Sequence, residues 1–223
     1  MPMKVAGPLG VCLLLAVVTV PAAQAQRARD EPRGKPGVFD YYVLSLSWSP
    51  QYCAGPAGSR DRIQCAGGKQ FGFVVHGLWP QYERGWPQYC SSEPGPDQSV
   101  IDKTIPIMPS AALIRHEWKK HGTCSGAAAS QYFEKIRQAY AKVKIPEEYR
   151  APLKNVMVAP GKLKQRFLEA NRIADAAAVA VVCSGRFLQE VRVCLDRNLN
   201  VRGCGRGVND TCRDREIILQ PVR

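Results

Sequence analysis

Short apolar segments rich in aromatic and β-branched residues recur in the first and last parts of this chain. Residues 40–48 and 71–75 show partial alternation of apolar and polar positions, which is typical of strands with a buried face. Residues 178–183, 187–195 and 216–219 have a similar apolar character. The pattern therefore predicts strands on both sides of a middle region.

That middle region shows apolar residues at helical spacing, over residues 130–143 and 162–172. The residues that set this spacing, which we expect in the core rather than in a site, are Tyr132, Phe133, Ile136, Tyr140, Leu163 and Phe167. Residues 111–121 contain no helix breaker, follow a potential N-cap at Ser110 and precede a potential C-cap at Gly122. They predict a further helix.

This mixed order of strands and helices predicts an α+β fold, with a central, largely antiparallel sheet packed against several helices. Neither an internal repeat nor a low-complexity linker divides the chain, so we expect one domain. Residues 54–68 contain four glycines and a proline, which favours a surface loop between the first two strands.

The N-terminal residues have the pattern of an export signal, with a lysine ahead of an apolar run at residues 11–18. Spanning a bilayer takes roughly 20 apolar residues, so we expect no membrane insertion after the signal is removed. We predict a signal peptide at residues 1–25, a flexible leader rich in Arg, Pro and Gly at 26–37, and one folded domain at 38–223.

Eight cysteines remain once the signal, which contains Cys12, is removed. Paired thiols are the default in an exported protein, whereas a cytosolic chain would favour metal or redox chemistry. The sequence alone permits many pairings. Proximity suggests Cys53 with Cys65 and Cys194 with Cys204, because each pair would close a short loop.

The formal net charge of +12 favours an anionic partner. Nucleic acid and a membrane surface both fit this charge, and selection for solubility alone would also produce it.

All three histidines lie in two short segments, at His76 and at His116 and His121. Imidazole titrates near neutrality, so this grouping predicts one active site for proton transfer beside an anion. On a helix, Glu117 would share a face with His121, and His116 with Lys120. We expect the carboxylate and the helix dipole to favour the protonated form of His121.

A zinc site is one alternative for this segment, which begins His-Glu as in helical metalloproteases. The H-E-x-x-H pattern puts two imidazoles on one helix face, whereas His116 and His121 are about 140° apart. The adjacent Lys119 and Lys120 would also oppose a dication. We therefore expect no catalytic metal and no cofactor.

A substrate with its own nucleophile would make a metal unnecessary. RNA carries a 2′-hydroxyl beside each scissile phosphate, so one histidine could remove its proton while another protonates the departing 5′-oxygen. Lys120 could then neutralise the charge of the transition state. The aromatic residues that follow His76 could stack bases or could be ordinary core residues: Trp79, Tyr82, Trp86 and Tyr89.

Two segments, His76-Gly-Leu-Trp-Pro80 and His116-Glu-Trp-Lys-Lys-His-Gly-Thr-Cys124, resemble the signature motifs of the ribonuclease T2 family of secreted acid ribonucleases. The resemblance covers nearly the whole chain after the leader, although residues 125–178 match only in character. It implies an α+β fold and cleavage of single-stranded RNA through a 2′,3′-cyclic phosphate to 3′-phosphate ends. Residues 38–223 would be the catalytic domain, in a periplasmic, extracellular, vacuolar or lysosomal enzyme.

The resemblance also implies a role for each catalytic residue. By motif position, His121 would be the base of the first step and His76 the acid. His116 would hold the phosphate, while Glu117 and Lys120 would stabilise the transition state.

For substrate binding, the resemblance implies that Trp79 and Trp86 stack a base. Many relatives have Asp or Asn where this chain has Gln81, and an amide both donates and accepts hydrogen bonds, so the base preference of an acidic relative cannot be transferred. We expect low base specificity. The implied disulfides are Cys53–Cys65, Cys90–Cys124, Cys183–Cys212 and Cys194–Cys204. We expect a monomer.

Two other classes of function stay open at this point. A basic RNA-binding protein would need no catalysis, although every catalytic position of the resemblance is filled here. An exported metallohydrolase would need a metal and would lose activity in excess chelator.

Overall fold

The computed structural model describes residues 1, 31–68 and 70–222. The predicted signal peptide, residues 1–25, lies outside the described residues except for Met1. Residues 32–223 form one compact unit. None of the helices in the described ranges combines the length and the apolar character needed to cross a bilayer.

The described part of the chain forms a single six-stranded sheet in the order β2-β1-β5-β6-β3, with β4 also paired to β5. All pairings are antiparallel except that of β5 with β6. The strands are β1 (Tyr41–Trp48), β2 (Phe73–Gln81), β3 (Val156–Val158), β4 (Val179–Ser184), β5 (Phe187–Leu195) and β6 (Ile217–Leu219). The predicted α+β fold with a largely antiparallel sheet is confirmed.

Six α-helices accompany the sheet in the described residues. They are α1 (Ser49–Cys53), α2 (Arg62–Cys65), α3 (Gln98–Thr104), α4 (Ala111–Lys120), α5 (Ala129–Lys142) and α6 (Pro160–Asn171). Short 3-10 turns lie at Gly58–Arg60, Gly122–Ser125, Glu147–Tyr149 and Ala176–Ala178. The three long predicted helices correspond to α4, α5 and α6.

Successive residues of β1 point to opposite faces of the sheet, and apolar residues of the strand are buried on both. One set packs with the helices in the main core: Tyr42, Leu44, Leu46 and Trp48. On the other face, Tyr41 and Val43 form a small cluster with Cys194 of β5. The helical aromatics predicted for the core are buried there, except that Tyr140 is only partly buried. The main core therefore fixes one face of the sheet and leaves the other for a site.

Some elements differ from the sequence prediction. The second strand continues to Gln81, through a glycine and a proline that normally interrupt strands, and Pro80 is tolerated because β2 is an edge strand. The predicted loop at residues 54–68 contains α2, whose N-cap Asp61 accepts hydrogen bonds from two helical N–H groups. The short elements α3 and β3 were not predicted.

Four disulfides join the chain, and their pairs are those that the family resemblance implies. They are Cys53–Cys65, Cys90–Cys124, Cys183–Cys212 and Cys194–Cys204. The Cys90–Cys124 bond links the loop before α3 to the turn that follows α4.

The folded unit starts earlier than the predicted boundary at Val38. The backbone of Arg33 exchanges two hydrogen bonds with Gln88, of 2.9 and 2.8 Å, and the Gly37 N–H donates to the Cys124 carbonyl over 3.0 Å. These contacts anchor the described end of the predicted leader, because paired backbone groups restrict its motion.

The Tyr132 hydroxyl gives a test of the packing between α5 and β2. It is fully buried and donates to the Leu78 carbonyl over 2.7 Å. We expect Tyr132→Phe to lower the free energy of unfolding by roughly 1–2 kcal/mol, because a buried carbonyl loses its donor. Urea denaturation measures the change, and the matched control is Tyr140→Phe, whose hydroxyl bonds to no described residue. An equal loss in both variants would contradict this account.

Candidate active site

A β-bulge in β2 sets the position of His76. The neighbouring β1 residues Ser45 and Leu46 oppose Gly77 and Val75, so His76 is an extra residue without an opposite partner. A bulge of this kind places two consecutive side-chain positions on the same face of the strand. His76 and Gly77 therefore both lie on the sheet face opposite the main core.

Helix α4 brings Glu117 to the same place. The helix begins after Ser110, whose hydroxyl accepts the Leu113 N–H over 3.3 Å, as predicted for the N-cap. Near its other end Glu117 is 2% exposed, and its Oε2 accepts the indole N–H of Trp79 over 2.7 Å. A Cβ on Gly77 would collide with both of these side chains, so the glycine makes their hydrogen bond possible.

Trp79 lies at the centre of the site. Its ring centroid is 5.1 Å from that of His76 and 5.4 Å from that of His121, and the Arg192 guanidinium lies 5.2 Å from it. One indole thus contacts two imidazoles and a cation on β5. Trp79 therefore links the groups of the site through its own contacts, in addition to any contact that it makes with a substrate.

Two carboxylates face His76. Its Nδ1 lies 2.7 Å from Oε1 of Glu190 on β5, and its Nε2 lies 3.8 Å from Oε1 of Glu117. Burial alone would lower the pKa of His76, but the Glu190 hydrogen bond and the two acidic charges outweigh it and raise the pKa. Burial also works against ionisation of Glu190, yet His76 and Arg192 lower its pKa to about 2. His76 therefore favours its protonated form.

His121 has the opposite character. Burial, followed by the charges of Lys120, His76 and His116, lowers its pKa well below the usual value. The prediction that Glu117 and the helix dipole would favour its imidazolium form is wrong, because Glu117 bonds to Trp79 instead and the ring is only 7% exposed. Between the lowered pKa of His121 and the raised pKa of His76, His121 is therefore neutral while His76 is protonated.

Glu117 is itself perturbed. Burial raises its pKa to about 7, although His76, the Trp79 hydrogen bond and Lys120 each act in the opposite direction. Below neutral pH this carboxyl group is therefore mostly uncharged and has a proton to donate.

A cleft of about 310 Å³ contains these groups. It brings together every catalytic and base-binding residue that the sequence predicted: His76, Trp79, Gln81, Trp86, His116, Glu117, Lys120 and His121. Val43, Arg192, Gly207 and Val208 complete the lining. Over the ranges 31–68 and 70–222, no group of three or more His, Cys, Asp or Glu residues is arranged to hold a metal ion.

The predicted base-binding residues differ in exposure. Trp86 is 44% exposed, its ring lies 4.7 Å from the Arg33 guanidinium, and its N–H donates to Gln88 Oε1 over 3.2 Å. Gln81 is buried, and its amide nitrogen donates to the Pro80 carbonyl over 3.1 Å. An exposed aromatic platform therefore lies at one part of the cleft, with a buried amide in another.

Sequence reasoning missed Glu190 and Arg192. Both lie in a strand whose apolar residues predict a core element. Glu190 is 114 positions from His76 in the chain. Their spacing carried a signal, because residues two apart on a strand share a face. An acid and a base at such positions indicate that one face of β5 is polar.

Comparisons with known proteins identify the family of this chain. The sequence model of the Ribonuclease T2 family matches residues 39–204. A ribonuclease of Aeromonas hydrophila is 36% identical over 169 residues, which are 75% of this chain and 76% of that protein.

Solved structures show the same fold. An RNase-related protein from Calystegia sepium superposes with a TM-score of 0.66 at 24% identity, over 86% of this chain and 100% of that one. RNase NT, solved in complex with 5′-AMP, gives a TM-score of 0.57 at 25% identity, over 78% of this chain and 98% of that one. The chain belongs to the ribonuclease T2 family. It is an endoribonuclease of the T2 type.

The closeness of Gly77 to Glu117 and Trp79 generates a test of the site. We expect Gly77→Ala to reduce RNA cleavage by at least about tenfold, because the new methyl group separates two groups whose placement is needed to within about 1 Å. The steady-state rate on a fluorogenic oligoribonucleotide measures the effect. Gly161→Ala in α6 is the matched control, since a Cβ there meets no atom within 4 Å. Undiminished activity of the Gly77 variant would contradict the assembly described for this site.

Proposed function

We propose that this ribonuclease cleaves single-stranded RNA by transesterification without a metal, through a 2′,3′-cyclic phosphate that is hydrolysed to a 3′-phosphate end. The observation that carries the proposal is that His76 and His121 both lie against Trp79 in one cleft, where their surroundings raise the pKa of His76 and lower that of His121. Such a pair supplies a base and an acid at the same time.

In the first step, His121 accepts the proton of the 2′-hydroxyl, and His76 donates a proton to the departing 5′-oxygen. The lowered pKa of His121 keeps its ring able to accept a proton, and the raised pKa of His76 keeps that ring protonated. In the second step the roles reverse, because the now neutral His76 activates water while His121 returns its proton.

The remaining catalytic groups act on the phosphate. His116 is exposed where it lines the cleft, which suits it to hold the phosphate before reaction. Lys120 provides a fixed positive charge for the transition state. Glu117 can donate a hydrogen bond to a phosphate oxygen below about pH 7, because its carboxyl group then retains a proton.

Base recognition is assigned to Trp86, Trp79 and Gln81. RNase NT, which is 25% identical, was solved with 5′-AMP, and this supports a nucleotide site in the same fold. Stacking on an exposed ring such as Trp86 accepts any base. Gln81 offers an amide that can donate and accept hydrogen bonds. The proposal includes low base specificity, because stacking does not distinguish one base from another.

Export is proposed on two grounds. The N-terminal residues have a signal pattern, and four disulfides are typical of a protein that matures in an oxidising compartment. We propose that the exported enzyme acts as a monomer, which light scattering can test.

Identification of products gives the direct test of the reaction. Digestion of a defined oligoribonucleotide in excess EDTA should first yield 2′,3′-cyclic phosphate ends and later 3′-phosphate ends, as measured by mass spectrometry. His121→Ala should reduce the rate by at least about a hundredfold, since it removes the base. Products with 5′-phosphate ends, or loss of cleavage in EDTA, would reject the mechanism.

The two histidines also predict the pH dependence. The rate should fall as the pH drops through the lowered pKa of His121, below 6.5, because the base becomes protonated. It should fall again as the pH rises through the raised pKa of His76, above 6.5, because the acid loses its proton. A profile of kcat against pH should therefore be bell-shaped with an acidic-to-neutral maximum. A rate that keeps rising with pH would be inconsistent with this assignment.

A further inference from the structure

The acid histidine is connected to a charge pair that the proposed mechanism does not use. Glu190 Oε1 lies 2.7 Å from His76 Nδ1, while its Oε2 accepts two hydrogen bonds from Arg192, of 2.9 and 2.7 Å. The Glu190 side chain is 3% exposed and that of Arg192 is 25% exposed. The buried carboxylate is thus shared between an imidazole and a guanidinium.

The sheet brings these residues together from strands that are not adjacent. Strand β1 lies between β2 and β5, so the contact from Glu190 to His76 must pass over β1. The β1 residues opposite β5 at this level are Ser45 and Ser47, whose side chains are small enough to leave room for the contact. A large side chain at either serine would stand between the carboxylate and the ring.

Burial of the Glu190 carboxylate costs solvation free energy, which suggests that its position serves the site rather than stability. A buried carboxylate needs partners for its charge, and replacing such pairs with apolar residues often leaves stability unchanged or improved. The Glu190 carboxylate also faces Nδ1 of His76, so that Nε2 is the His76 nitrogen directed toward Glu117 in the cleft. A partner on one ring nitrogen fixes the tautomer and orientation of the other.

We propose that Glu190 is a positioning residue for His76 and that Arg192 limits the strength of its effect. This inference rests on the proposed role of His76 as the acid of the first step. Glu190 holds the ring with Nε2 toward the leaving group and stabilises the imidazolium, much as a carboxylate orients the histidine of a hydrolytic triad. Arg192 draws part of the carboxylate charge to itself, so that His76 can still release its proton.

The charged groups around His76 allow the two effects to be separated. From β5 it meets Glu190 and Arg192, and from the α4 segment it meets Glu117 and His121. Glu190 favours the protonated ring, whereas Arg192 disfavours it. Neutralising each residue should therefore move the titration of His76 in opposite directions, which general loosening of the structure would not do.

The experiment combines NMR titration of the His76 ring with profiles of kcat and KM against pH, in the full chain. Glu190→Gln keeps the shape and removes the charge, and Arg192→Gln removes the opposing charge. Glu147→Gln is the matched control, because it removes an exposed acid that does not line the cleft, with a side chain 79% exposed. The chain has three histidines, so a His76→Gln variant assigns the signal.

For Glu190→Gln we expect His76 to titrate at lower pH and kcat to fall by roughly tenfold on the alkaline side, with KM changed less than about twofold. For Arg192→Gln we expect the titration to move to higher pH, and for Glu147→Gln no change. Unchanged titration of His76, or a shift in the same direction in both cleft variants, would overturn the inference. If Glu190→Gln does not fold, the direction of the Arg192→Gln shift decides.

The NMR reading does not depend on RNA cleavage. An expected titration in an enzyme that yields no cyclic phosphate would therefore reject the proposed mechanism while leaving the contact between Glu190 and His76 established. Conversely, cyclic phosphate products with an insensitive His76 would reject only the present inference.

Discussion

The extra residue in β2 is the constraint on which the site depends. A regular strand would alternate, and either His76 or Gly77 would then face the main core. The bulge turns both toward the cleft, where one provides an imidazole and the other provides space for the hydrogen bond between Trp79 and Glu117. His76 and Gly77 are therefore needed together, because a side chain at Gly77 would displace the residues that contact His76.

The cleft separates the protonation states of two identical side chains. His76 has an ionised carboxylate beside it and favours its charged form, while His121 has cationic neighbours and little contact with solvent and favours its neutral form. Sequence position alone cannot distinguish such environments. Trp79 lies against both rings, so one apolar surface desolvates the two imidazoles while the charges around them differ.

The sequence predicted the fold class, the long helices and most strands, because these depend on local periodicity that tertiary contacts reinforced. It also predicted eight of the twelve residues that line the cleft, through motifs that the resemblance identified. The protonation of His121 was predicted wrongly, since helix spacing did not reveal that Glu117 would bond to Trp79. Glu190 was missed because its partner His76 lies in a strand two positions away in the sheet and far away in the chain. Long-range pairing of this kind leaves little trace in one sequence.

The Cys90–Cys124 bond joins residues 34 positions apart, in segments that each contribute a residue to the cleft. One leads back to Trp86, and the other follows directly on His121, with the Tyr89 N–H donating to the Lys120 carbonyl between them. Such a bond forms in an oxidising environment and is rare where glutathione keeps thiols reduced. A newly synthesised chain would therefore lack the covalent link between the segment that leads to Trp86 and the segment that follows His121. Until that bond forms, only noncovalent contacts such as the hydrogen bond from Tyr89 to Lys120 would hold these two parts of the cleft together.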